Sequence, residues 1–242
     1  VRGIEYITTS NGFLERFDIR SQTLLEPFRV GVNLGGIDIT EDGQFAYIAE
    51  TQAGATRNFV RKVDLNDGTV TNLTYTRGGL EDGVFDLVIL DNGNAYFSAG
   101  FAGSGGVSIR RSDLSTDTIS VLTGVQQDTR LTRSGDRSRM FVTQSNTSSG
   151  PISYFDAATE TFISSAGTSV FLGDSHAAVN FDGSLIALED NQHIGLSIMN
   201  VDLDVVGIVP PHRGGVAFDP NQPVLYATDN ATETIVAFET NN

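Results

Sequence analysis

Aligned on five tight turns, the sequence places Gly36, Asp86, Asp128, His176 and Arg213 in one column, and all but the glycine are polar or charged. Two carboxylates and an imidazole at one end of a repeating unit form a ligand set for calcium or another divalent cation, or a general acid–base pair. In that chemistry Asp86 and Asp128 would hold the cation and His176 would act as base. Arg213 would steady developing negative charge. The plainer alternative is that Asp128 and Arg213 pair electrostatically and that His176 is a partly buried loop residue. Two further histidines carry less. His193, beside Glu189 and Asp190, fits no metal-ligand spacing and reads as an exposed loop residue, and His212 follows Pro210 and Pro211 in a connecting segment. The chain contains no cysteine, which excludes disulfides, thiolate zinc sites and cysteine nucleophiles. The sequence GFAGSGG at 100–106 is followed by no Lys-Ser/Thr pair and no helix, so it is not a phosphate cradle. No serine nucleophile elbow, HExxH helix or EF-hand loop is present. Beyond the divalent cation, no cofactor is implied.

The elements that would position this column come from an internal repeat. One signature is an apolar strand ending in an acid: Asp18, Asp64, Asp113, Asp156, Asp202 and finally Glu239. A second precedes the last five, in GIDITEDGQFAYIAE, FDLVILDNGNAYFSAG, TRLTRSGDRSRMFVTQ, AAVNFDGSLIALED and GVAFDPNQPVLYATD. Each reads as two strands joined by a hairpin, because Asp-Gly and Asn-Gly supply the positive φ angles such turns demand. A fourth strand follows each acid, as in TVTNLTY and TISVLTG. The unit is therefore four antiparallel strands, apolar on both faces and stable only when stacked against its copies. The expectation is an all-β fold, a β-propeller with about six blades, or a seven-bladed ring with a missing segment. It forms a single domain over 1–242 with repeats at about 4–35, 36–83, 84–127, 128–174, 175–212 and 213–242. The strand count is 22, opening on a second strand and closing on a third. Tyr47, Tyr96, Phe141 and Tyr226 occupy equivalent second-strand positions and are expected in the gaps between blades. The aspartates Asp18, Asp64, Asp113, Asp156 and Asp202 are expected to cap turns by accepting backbone N–H groups.

Propeller topology puts the short first–second and third–fourth turns on one face. The second–third loops and the links between blades lie on the other. That second face is irregular, with TQAGATRN, GFAGSGG, QSNTSSG and EDNQH, and variable loops on a rigid scaffold are where binding resides. Acids outnumber bases 30 to 15, giving a net charge of −15, and Lys62 is the one lysine. Such a surface repels phosphate backbones and anionic bilayers, so nucleic acid and direct membrane insertion are not expected. No apolar run reaches the length of a transmembrane helix. The sequence begins at Val1, from which a removed leader or longer upstream segment is expected. Sequons stand at Asn72, Asn146 and Asn230.

The recurring order of GxxVxxDG, an apolar YxA strand, an xVDL strand and a closing strand resembles the YVTN-type repeat of surface and quinoprotein-dehydrogenase-like propellers, over about residues 4–240. The YVTN tetrapeptide itself is replaced by YIAE, YFSA, FVTQ, IALE and YATD. Propellers of that kind include surface-layer and adhesive modules, lactone hydrolases, a streptogramin lyase and cofactor-bearing dehydrogenases. The resemblance therefore implies a fold before a function. Acidity, low lysine and the lack of a complete catalytic constellation favour a non-enzymatic binding or structural module, extracellular, periplasmic or at the cell surface, with a protein partner or assembly. A metal-assisted lactone hydrolase or lyase at the channel mouth is the alternative. A quinoprotein dehydrogenase ranks third, since such enzymes need a larger ring with tryptophans or cysteines.

Overall fold

The structure, a computed structural model, describes residues 3–101, 103, 106–144, 151–167, 176–189, 196–209, 215–229 and 231–240. His193, His212, Arg213, Asn146 and Asn230 lie outside these residues.

Every regular element among the described residues is a strand, and within each sheet the strands pair with their neighbours in sequence. Sheet one holds β1 (Ile4–Thr8), β2 (Phe13–Asp18) and β3 (Thr23–Arg29). Sheet two holds β4 (Leu34–Ile39), β5 (Phe45–Glu50), β6 (Arg57–Asp64) and β7 (Val70–Thr76). Sheet three holds β8 (Val84–Ile89), β9 (Asn94–Ala99), β10 (Gly106–Asp113) and β11 (Ile119–Gln126). Sheet four holds β12 (Thr129–Arg133), β13 (Arg139–Gln144), β14 (Ile152–Asp156) and β15 (Thr161–Ala166). Sheet five holds β16 (Ala177–Val179), β17 (Ile186–Glu189), β18 (Leu196–Met199) and β19 (Val205–Val209). Sheet six holds β20 (Val216–Phe218), β21 (Val224–Asp229) and β22 (Thr234–Glu239). This is a six-bladed β-propeller whose full blades have four antiparallel strands; the first and last sheets have three described strands each. Asn72 falls within β7, the outermost strand of its blade.

The chain divides into two compact units, residues 1–89 with 93–129, and residues 90–92 with 130–242. In the first, Leu14, Leu34, Ile48 and Val63 join blades one and two, while Tyr47, Leu73, Tyr75, Leu87 and Phe97 join blades two and three. In the second, Phe141, Tyr154, Ile186 and Leu188 join blades four and five, and Ala187, Leu196, Ile198 and Leu225 join five and six. Each of these large side chains contributes about 1.5–3 kcal/mol by leaving water. Tyr47, Tyr96 and Phe141 are fully buried, but Tyr226 is 39% exposed. Its hydroxyl instead donates to Asp219 on the neighbouring turn.

The first–second turns of blades two and four share one chemistry. A hydroxyl on the strand end donates to the carboxylate two residues on, as Thr40 does to Asp42 at 2.6 Å and Ser134 to Asp136 at 2.6 Å. The carboxylate then accepts the N–H of Gln44 or Ser138. At the third–fourth turns Asp18 accepts from Arg20 N, Asp64 from Asn66 N, Asp113 from Ser115 N and Asp156 from Thr159 N, all at 2.7–2.9 Å. The fifth blade differs. There Asn200 accepts from the N–H groups of both Asp202 and Asp204 at 3.0 Å. Because β18 ends at Met199, the residue equivalent to Asp156 is Asn200, and the NVDL string is offset by two from KVDL.

These turns make stability depend on pH. The Thr40 hydroxyl and the Gln44 N–H hold the Asp42 carboxyl below its ordinary value of 3.8, and Ser184 does the same for Asp182 through its side chain and N–H. Folded values below unfolded ones give stability that is complete above the unfolded pKa and lost as pH falls through the folded one. The thermal midpoint at pH 2.5 is therefore expected well below that at pH 5, with the decline beginning under about pH 4. A calorimetric series across that range checks it.

Candidate functional site

The irregular face of the first unit is organised by one buried ion pair. Glu81 sits in the link between β7 and β8, and Arg110 on β10 meets it with two parallel hydrogen bonds, 2.6 and 2.9 Å long. Both side chains are almost wholly buried. Tyr75 donates its hydroxyl to Glu81 at 3.0 Å, and the Arg110 guanidinium lies over the Tyr75 ring, 4.0 Å from its centroid. Burial pushes the Tyr75 phenol upward, so it stays a neutral donor. Asn58 donates to Tyr75 and to the Asp82 carbonyl, and the Gly78 N–H donates to Glu81. A buried carboxylate needs such a full set of donors to offset its desolvation. The consequence is a link that is held at both ends.

What the anchored link presents to solvent is apolar. Leu80 is 72% exposed and Phe101, in the β9–β10 loop, is 52% exposed. The two loops are tied, since Asp82 N donates to Phe101 O at 2.6 Å and a Cβ on Gly103 would stand 3.3 Å from the Leu80 side chain. Large apolar side chains displayed on a support anchored by a buried ion pair fit a contact surface better than a solvated loop.

The sequence-derived column is distributed differently from its expectation. Gly36 lies inside β4, where a Cβ would come within 2.2 Å of Asp86 Oδ1 and 2.9 Å of Asp86 Cα, so the glycine is what lets the first strands of blades two and three touch. Asp86, inside β8, accepts the N–H of Leu87 at 2.9 Å. Asp128 precedes β12, adopts φ = 52°, and donates its N–H to Ala99 O. Counted back seven residues from the left-handed turn residues Gly43, Gly93, Arg137 and Gly183, the equivalent positions are Gly36, Asp86, Arg130 and His176. Arg130, two residues after Asp128, thus holds the fourth place. Among the described residues, no group of three or more His, Asp or Glu side chains is gathered to hold a metal ion.

In the second unit His176 meets a partner that sequence reasoning gave to His193. Its Nδ1 lies 2.9 Å from Glu189 Oε2, and Glu189 N donates to His176 O at 2.8 Å, so the two face each other across the β16–β17 hairpin. The carboxylate is 7% exposed and the imidazole 56%. A buried acid on Nδ1 fixes the ring and leaves Nε2 as the nitrogen that an external group would meet. The repeat gave no signal for it, because counted from the turn residues Gly43 and Gly183 the position of Glu189 is that of Ala49, one residue before Glu50. Glu50 in the first unit is engaged by Val32 N, Asn33 N and Arg61, with the guanidinium at 2.9 Å.

No protein-family model and no curated protein matches this chain. Solved structures do, 1065 chains in all, a breadth that specifies architecture rather than activity. The class they define is the β-propeller. Hydrazine synthase from Kuenenia stuttgartiensis superposes with a TM-score of 0.77 at 16% identity, over 98% of this chain and 80% of that one. An auxiliary nutrient binding protein from Bacteroides thetaiotaomicron gives 0.66 at 11% identity, over 98% and 66%. The propeller domain of Cps50 (Swd1) from Myceliophteria thermophila gives 0.55 at 12% identity, over 99% and 94%. At these identities the likeness is one of fold.

Proposed function

We propose that this propeller is a non-enzymatic binding module of a secreted, periplasmic or cell-surface protein, with YVTN-type repeats, contacting a protein or ligand through its irregular loop face. The observation that carries the reading is the pair Leu80 and Phe101, exposed on loops that the Glu81–Arg110 ion pair holds in place. One structural neighbour is a nutrient binding protein, which supports a binding reading for a chain of this fold. Panning the immobilised chain against a random dodecapeptide phage library tests the proposal. Enriched peptides are expected to lose at least tenfold in affinity for the Leu80→Ser, Phe101→Ser double variant. Peptides that bind both forms equally would overturn it.

The His176–Glu189 pair favours one second reading, a lactone hydrolase or lyase in which His176 is the base. His176→Ala distinguishes the two. The imidazole is more than half exposed, so the substitution should change stability by no more than about 1 kcal/mol. Under the binding reading, no lactone is turned over by either form with calcium, magnesium, manganese or zinc. Turnover by the wild type that vanishes in His176→Ala would displace the binding reading.

A further inference from the structure

The turn end of blades two and three opens into a cavity of about 580 Å³ whose walls include Glu41, Asp42, Phe45, Tyr47, Lys62 and Leu114. That volume is in the range of small-molecule sites. One wall is apolar and fixed, because Phe45 and Leu114 pack on the buried cluster that joins the two blades. The chain's single lysine stands in the same wall. Lys62 Nζ lies 3.0 Å from both carboxylate oxygens of Asp117 in the β10–β11 turn, 4.9 Å from the Phe45 ring centroid and 5.6 Å from that of Tyr47. The Tyr47 hydroxyl donates to the same carboxylate at 3.3 Å. The two rings therefore already receive one ammonium, and that ammonium already has its carboxylate. What is left over is negative. The Thr40 hydroxyl and the Gln44 N–H, both on Oδ1, hold the Asp42 carboxyl below its usual value and keep it ionised, while its Oδ2 accepts from no described residue. Glu41 is exposed and forms no hydrogen bond or ion pair with a described residue.

We propose that this cavity binds a small organic cation, an amine with an aromatic or aliphatic body, whose ammonium meets Glu41 and Asp42 and whose body lies against Phe45 and Leu114. The sign follows from the charges left uncompensated. An anion would have to draw Lys62 away from Asp117 and lie beside two carboxylates, whereas a cation answers those carboxylates and leaves the Lys62–Asp117 pair intact. A neutral apolar molecule would gain the wall alone. The net charge of −15 adds to the preference, because it concentrates cations at the surface. The cavity lies at the other end of the blades from the Leu80 and Phe101 loops, so this inference stands apart from the loop-face reading.

The test is an amide NMR titration of the whole chain with phenethylamine and, separately, with hydrocinnamate, which carry the same phenyl body on the same spacer with opposite charge. Phenethylamine is expected to shift the amides of Glu41, Asp42, Phe45 and Lys62 saturably and to bind roughly tenfold or more tightly than hydrocinnamate. Its affinity should fall with added salt, as for opposite charges in water. Glu41→Gln, at an exposed position, should weaken the amine about threefold or more and leave the thermal midpoint unchanged. Lys62→Met gives the sharper sign. Removing the internal ammonium frees Asp117 for the ligand, so amine binding should hold or tighten, whereas a site for anions would lose its ligand. No saturable shift at these amides, equal binding of the two probes, preference for hydrocinnamate, or amine binding that is unchanged in Glu41→Gln or lost in Lys62→Met overturns the proposal.

Discussion

Arg110→Ala is expected to lower the thermal midpoint by on the order of 10 °C, because it leaves the Glu81 carboxylate buried without its cation. Breaking a buried pair by deleting one member costs about 3–5 kcal/mol, well above the worth of the pair itself, since the remaining charge keeps its desolvation cost. A chain of this size loses roughly 2–4 °C per kcal/mol. The two hydrogen bonds at 2.6 and 2.9 Å and the burial of both partners place this pair in that regime. Arg61 with Glu50 is the useful comparison. There Val32 N and Asn33 N also serve the carboxylate, so Arg61→Ala should cost less. Calorimetry gives the midpoints, and hydrogen exchange adds a local readout: in Arg110→Ala the amides of 78–82 should exchange faster, because the anchor of that link has gone.

The second large effect is steric. Gly12 adopts φ = 84°, and a Cβ there would stand 2.1 Å from the Gly31 carbonyl oxygen and 2.9 Å from Val32 N. The obstruction is backbone, which cannot swing aside as a side-chain tip can. The same Gly31 and its neighbour Val30 donate their N–H groups to Gly12 O, so displacing one segment also breaks the bonds that join the β1–β2 turn to the β3–β4 link. Gly12→Ala should therefore cost at least about 3 kcal/mol. Gly93→Ala is the matched control. Gly93 has φ = 76° but meets no heavy atom within 4 Å, so only the backbone strain of about 1 kcal/mol remains. Urea denaturation of the two variants measures the difference, and equal losses would show that the Gly31 contact is not close in solution.

The architecture was legible in the sequence because turn chemistry is local. Thr40, Asp42, Gly43 and Gln44 make their hydrogen bonds locally, and a turn containing Asp, Asn or Gly recurs at this place in every blade although its first residue varies. The order of 22 strands follows from it. Register was less secure, since an apolar-Asp-Leu string can be matched two residues out, as at Asp202 against Asn200 or Asp128 against Arg130. Only strand pairing, with Met199 opposite Val205, resolves the first of these. The loop-face anchor was not legible at all. Glu81 and Arg110 are 29 residues apart on different elements, each an ordinary charged residue locally, and nothing in the spacing announces that packing against Tyr75 will bury both. His176 was found through its column, but its partner was not, because Glu189 stands closer to His193 in sequence while the β16–β17 hairpin carries it to His176.

The loop-face reading is tested most directly by mapping the footprint of a library-selected peptide through hydrogen exchange on the intact chain. Protection confined to 78–82 and the amides around Phe101, and lost in the Leu80→Ser, Phe101→Ser variant, is the predicted result. Protection of the His176–Glu189 hairpin instead, together with lactone turnover that depends on His176, would contradict it.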